Sequence, residues 1–195
     1  MSRPVLLVPG FLDGPGSFAL LARRLEREGF ETHALTLSPR LATCSLHHFA
    51  RQVDEAAEQF AEVDVVGFSM GGLVSRLWVQ RYGGAAKVNR LITLASPHNG
   101  SKVAHLVPQQ AAREMRPGSD LLDDLRQDVE MLEDVRFASL WTPYDFTVLP
   151  GRSGELPVGT SEPMPVAMHR FMLLDKRVAA RVVELLREDE PVAVQ

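Results

Sequence analysis

The chain has 195 residues, 45% of them hydrophobic and 24% charged, with a net charge of −4. This is the composition of one globular domain with enough apolar material for a core. Its mild acidity leaves no basic footprint for nucleic acid, and no apolar run approaches the roughly 18 residues of a membrane span.

The N-terminal stretch "MSRPVLLVPG" has too short an apolar region for a signal peptide, so a cytoplasmic location is expected. The single cysteine, Cys44, excludes an internal disulfide and is expected as a small buried hydrophobe.

Short apolar runs alternate with helical patterns along the chain. "PVLLV" (4–8) reads as a buried strand closed by Pro9-Gly10. A helix follows, with Ser17 as its cap, Phe18, Leu21, Ala22 and Leu25 on its apolar face, and Gly29 at its end. "ETHALTL" (31–37) is a second strand, and the apolar positions from Leu46 to Phe60 recur at helical spacing. "VDVVGF" (63–68) is a third strand, followed by a helix marked by Leu73, Val74, Leu77 and Trp78 and stopped by Gly83-Gly84. "RLITLA" (90–95) and "VRFASLW" (135–141) are the fourth and fifth strands, and "PVAMH" (165–169) is a weaker sixth. A last helix, capped by Asp175, carries Val178, Val182 and Leu185 on one face. "EDEPVAVQ" is expected as a frayed tail.

The alternation predicts an α/β fold: a mostly parallel sheet of about six strands with helices on both faces. Residues 1–195 read as one domain. The segment 101–134 breaks the rhythm with two helical patterns split by "RPGS" (116–119). It reads either as a crossover helix with an extra one or as a small helical cap. Ligands in such sheets bind at the carboxyl ends of the strands.

"GFSMG" (67–71) stands at such an end and fits G-x-S-x-G. In that motif a strand turns sharply into a helix, and glycines on either side let backbones approach closely. Ser69 is then an exposed nucleophile, and the Met70 N–H an oxyanion donor at a helix N-terminus. The alternative is a serine that merely caps the helix. A nucleophile needs a base and an orienting acid, in the chain order Ser, acid, His. His169 follows the sixth strand candidate, and Asp145 follows the fifth in "WTPYDFTVLP", so Asp145 and His169 are the acid and base.

The other histidines read as structural. His98, in "ASPHNGS", is expected to shape a pocket floor or bond the backbone, and His105 to face the cap or solvent. His33, His47 and His48 are surface or packing residues, with no ligand spacing that suggests a metal. The loop "PGFLDGPGSF" (9–18) lacks the lysine of a phosphate-binding loop and does not match G-x-G-x-x-G. It is expected to give the second oxyanion donor, the Phe11 N–H. Leu12, Phe146, Val148 and Met168 are candidates for an acyl pocket.

These segments resemble, in order, those of the α/β-hydrolase superfamily, and within it the small bacterial lipases and carboxylesterases. "VLLVPGFLDGPGSF" is similar to the oxyanion-loop segment, "VDVVGFSMGGLVSR" to the nucleophile elbow, and "LWTPYDFTVLP" and "MHRFMLLDKRV" to the acid and histidine segments. "VNRLITLASPHNGSKVA" resembles the strand and loop that precede the cap of bacterial lipases.

The resemblance implies a minimal α/β-hydrolase fold and ester hydrolysis through a Ser69–His169–Asp145 triad, with the backbones of Phe11 and Met70 as oxyanion hole. The loop begins Pro9-Gly10 where many members have His-Gly, which leaves the backbone donor in place. The expected activity is that of a cofactor-free esterase or lipase acting on a small-molecule ester or lipid. A thioesterase or acyltransferase with the same triad is the alternative. A non-catalytic hydrolase-like binding protein is the rival from another class. Membrane contact, if any, is expected to be peripheral, through the amphipathic segments of 101–134.

Overall fold

The computed structural model describes residues 3–188; the expected C-terminal tail from 189 onward lies outside them. Six strands form one all-parallel sheet in the order β2-β1-β3-β4-β5-β6. They are β1 (Val5–Val8), β2 (Thr32–Ala34), β3 (Val63–Phe68), β4 (Val88–Leu94), β5 (Arg136–Trp141) and β6 (Thr160–Pro163). The central strands are buried along their whole length, because helices cover both faces of a parallel sheet.

Helices α1 (Ala19–Arg27) and α6 (Lys176–Arg187) lie on one face, where Leu21, Leu25, Val178, Val182 and Leu185 pack against Val5, Leu7, Val66 and Ile92. Helices α2 (Leu46–Ala57) and α3 (Met70–Arg81) lie on the other, where Phe49, Val53, Leu73 and Leu77 pack against Leu6, Val8, Val65 and Leu91. The alternation of side chains along β1 thus feeds two cores.

The sequence-predicted elements differ from the observed ones where turn chemistry overrides hydrophobic pattern. The sixth strand is not 165–169 but β6, whose residues "TSEP" carry no apolar run at the sheet edge, the first three half-buried and Pro163 exposed. The 165–169 segment has Val166 buried but no ladder partner. Ser17 does not cap α1. A short 3-10 turn, Pro15–Phe18, precedes the helix, and the Ser17 hydroxyl donates to the Gly14 carbonyl. The second strand is three residues long rather than seven. Cys44 is free and only partly buried.

In 101–134 the first helical pattern is broken at Pro108 into a 3-10 turn, Lys102–Leu106, and α4 (Gln110–Glu114). The second is α5 (Asp120–Gln127) followed by the 3-10 turn Val129–Glu133. Ala111, Leu122, Leu125 and Leu132 from this segment join the core on the α3 side, so its apolar positions face the body of the protein. Leu106 is its fully exposed apolar side chain, at 84%. No helix among the described residues is long and apolar enough to cross a membrane.

Candidate active site

Ser69 sits between β3 and α3 with φ 53° and ψ −121°. A non-glycine residue in this region is strained by roughly 1–3 kcal/mol, and such strain persists only where the surroundings impose it. The surroundings here are backbone. A Cβ on Gly71 would lie 2.1 Å from the Val8 carbonyl oxygen, and one on Gly67 would lie 2.5 Å from Gly72 Cα. A Cβ on Gly72 would lie 2.0 Å from Ser96 Oγ at the end of β4. The glycines are therefore required by close packing of α3 on β1, β3 and β4. This contact forces the sharp turn at Ser69.

The Ser69 N–H donates to the Leu94 carbonyl at 2.8 Å, which fixes the turn from the β4 side. Its side chain makes no hydrogen bond among the described residues, so the capping role is not filled. Met70 opens α3, and as the first helical residue its N–H has no intrahelical acceptor. The loop after β1 passes directly beside the turn: a Cβ on Gly10 would be 3.2 Å from Ser69 Cβ. Phe11 follows it and faces the same cavity as Ser69.

Asp145 and His169 meet. His169 Nδ1 and Asp145 Oδ2 are 2.7 Å apart, and both side chains are buried. Asp145 Oδ1 accepts from the backbone N–H groups of Thr147 and Val148, each at 2.8 Å. The carboxylate thus has fixed partners on both oxygens, and its second oxygen is aimed at the imidazole. His169 begins a 3-10 turn, His169–Leu173, and its ring packs on that of Phe68, the residue before Ser69, with centroids 4.8 Å apart. The other ring nitrogen, Nε2, has no hydrogen-bond partner among the described residues. Sites without substrate often lack the tightened serine–histidine bond.

A cavity of about 80 Å³ opens at Ser69. Phe11, Pro97, Val103, Ala104, Val107, Ala112, Met115 and Val148 give it an apolar wall. Of the four residues expected to line an acyl pocket, Val148 does so. Leu12, Phe146 and Met168 are outside it and 48%, 76% and 50% exposed, since the loops carrying them turn outward. Most of the wall comes instead from 101–115, whose start is tied to the acid loop. Ser101 Oγ donates to the Thr147 carbonyl at 2.8 Å and accepts from the Leu149 N–H at 3.1 Å. Sequence reasoning missed Ser101 and these wall residues; Pro108, which bends the segment back over the site, was the available signal.

Four of the remaining histidines make structural contacts. His98 is fully buried, with Nε2 2.9 Å from Thr93 Oγ1 and its ring edge-on to Phe137. Burial, reinforced by the nearby Arg76 cation, holds its pKa well below the ordinary histidine value. Arg76 is itself buried. It donates to Gln80 Oε1 and to the carbonyls of His98 and Leu125, and burial lowers its pKa to about 10. His47 bonds the Tyr82 hydroxyl, His48 the Ser38 carbonyl and His33 the Glu31 carboxylate, while His105 is exposed. No cluster of metal-ligating side chains occurs among the described residues.

A model of the palmitoyl protein thioesterase family matches residues 4–145. A Drosophila melanogaster protein named as a lysosomal thioesterase PPT2 homolog is 31% identical over 123 residues, which are 57% of this chain and 42% of that protein. The chain thus aligns with less than half the length of this curated relative. Among solved structures, a Bacillus licheniformis lipase, BlEst2 in mature form, superimposes with a TM-score of 0.77 at 17% identity, covering 95% of this chain and 92% of that one. Lipase B of Aspergillus fumigatus gives a TM-score of 0.80 at 17% identity, over 97% of this chain and 54% of that one. The likeness to these structures shows the α/β-hydrolase fold.

Proposed function

Because the chain belongs to the palmitoyl protein thioesterase family, within the α/β-hydrolase fold, we propose that it is a serine hydrolase that cleaves acyl esters through an acyl-enzyme on Ser69. The observation that carries this reading is the buried Asp145–His169 pair lying against Phe68, one residue from a strained serine with a free hydroxyl.

In the proposed cycle Ser69 Oγ attacks the acyl carbonyl as His169 Nε2 takes its proton. Asp145 holds the tautomer that keeps Nε2 free and offsets the charge on the imidazolium. The N–H groups of Phe11 and Met70 stabilise the oxyanion, each worth about 100- to 1,000-fold in rate. His169 then returns the proton to the leaving atom, and water repeats the sequence to release the acid. The acyl group occupies the apolar cavity under Val103, Val107 and Met115.

A thioester is the second substrate class, favoured by the family and by the name of the Drosophila relative. A transferase using an alcohol in place of water would share every residue. A cytoplasmic location belongs to the same proposal, although the Drosophila relative is named for the lysosome. Cell fractionation checks it.

The functional test is hydrolysis of p-nitrophenyl esters from acetate to palmitate beside the matching thioesters, with Ser69→Ala as control. Turnover on either class that disappears in Ser69→Ala supports the reading. Folded protein inactive on both classes rejects it.

A further inference from the structure

The chemistry divides the surroundings of Ser69 into two sides. The base must hand its proton to the leaving atom, so the leaving group lies on the His169 side. The apolar cavity includes Ser69 but not His169, so it takes the acyl side. Arg170 follows His169 in the chain, and the groove that Arg170 lines has a different character.

This groove, about 600 Å³, runs along the outer side of the oxyanion loop. Leu12 to Ser17, Thr36, Arg40 and Arg170 line it. Arg170 Nη1 is paired with Asp13 Oδ1 at 2.8 Å, and the Asp13 carboxylate is itself nearly buried. That pair fixes Arg170 beside the loop and leaves the rest of its guanidinium toward solvent, since the side chain is 65% exposed. Arg40 closes the far wall. Its Nη2 lies 3.7 Å from where a Gly14 Cβ would be, and among the described residues it has no ion-pair or hydrogen-bond partner. Two arginines against one carboxylate leave the groove positive in a chain whose net charge is −4.

We propose that this groove is a leaving-group subsite, and that the preferred substrates are acyl compounds whose leaving group carries an anion, a carboxylate or a phosphate. The inference rests on the serine-hydrolase reading and names its substrate class. Arg40 supplies the unpaired charge. Arg170, held by Asp13, supplies a second donor in the same groove.

The test compares three butyryl thioesters on the full chain: those of N-acetylcysteamine, which is neutral, of 3-mercaptopropionate, which carries a nearby carboxylate, and of coenzyme A, which carries phosphates farther away. At least one anionic thioester is expected to exceed the neutral one by about tenfold in kcat/KM at about 20 mM salt, with most of that preference lost at about 300 mM. Which of the two is preferred identifies the anion. In Arg40→Glu the anionic-to-neutral ratio is expected to fall by about tenfold; the exposed position keeps the variant folded, and Arg40→Gln should fall between. Cleavage of the neutral thioester as fast as both anionic ones, or a ratio unchanged in Arg40→Glu, overturns the subsite and leaves the serine-hydrolase reading standing. Failure to cleave any of the three, or the p-nitrophenyl esters, overturns both.

Discussion

Asp145 and His169, 24 positions apart in the chain, are joined side chain to side chain at 2.7 Å, with the second carboxylate oxygen held by two backbone N–H groups. Asp145→Asn keeps the shape but can present an N–H to Nδ1, which favours the tautomer that protonates Nε2. The expected result is a loss of about 10⁴-fold in kcat, with thermal stability changed far less. Steady-state kinetics beside a melting curve checks this.

The turn at Ser69 depends on contacts that exclude any side chain at Gly71. Gly71→Ala forces a methyl group onto the Val8 and Pro9 carbonyl oxygens. A loss of about 3 kcal/mol or more is expected from overpacking against backbone, measured by urea unfolding. Gly16→Ala, where a Cβ meets nothing within 4 Å, is the control and should be near neutral.

His98 makes stability depend on pH. Its folded pKa lies well below the ordinary value of 6.5 because burial disfavours the charged ring. Between those two values the unfolded chain binds a proton that the folded one refuses. The contribution is therefore fully present above about pH 6.5 and lost as pH falls, by up to about 1.4 kcal/mol per pH unit. Melting curves from about pH 7.5 to 5 should show a shallower decline in His98→Asn than in the unsubstituted protein.

In the proposed reading the cavity wall limits acyl length. Ala112 is buried and lines the cavity together with Val107 and Met115. Ala112→Phe is expected to lower kcat/KM for a butyrate ester by about tenfold or more while acetate suffers less. A chain-length series with p-nitrophenyl esters reads the effect directly.

Much of this site was legible in the sequence because local chemistry and fold agree there. "VDVVGFSMGG" is a buried strand, a forced turn and a helix start, and each appears where its residues place it. The choice of Asp145 and His169 followed from chain order and from their places after strand candidates. The strand before His169 did not, because an edge strand of "TSEP" needs no hydrophobic run and carries none. The cavity wall was hidden for a related reason. Val103, Ala104 and Val107 are unremarkable at helical spacing, and only the break at Pro108 and the anchoring of Ser101 to Thr147 bring them over Ser69. Leu12, Phe146 and Met168 lie close to site residues in sequence, but neighbouring side chains in a loop point in different directions.

The central claim is that Ser69 is a nucleophile activated by His169. Intact-protein mass spectrometry after incubation with a fluorophosphonate, followed by peptide mapping, tests it most directly. The account predicts a single adduct on Ser69, absent in Ser69→Ala and slowed by at least about 100-fold in the folded His169→Ala variant. An unlabelled Ser69 in folded protein, or labelling that proceeds equally fast without His169, would contradict it.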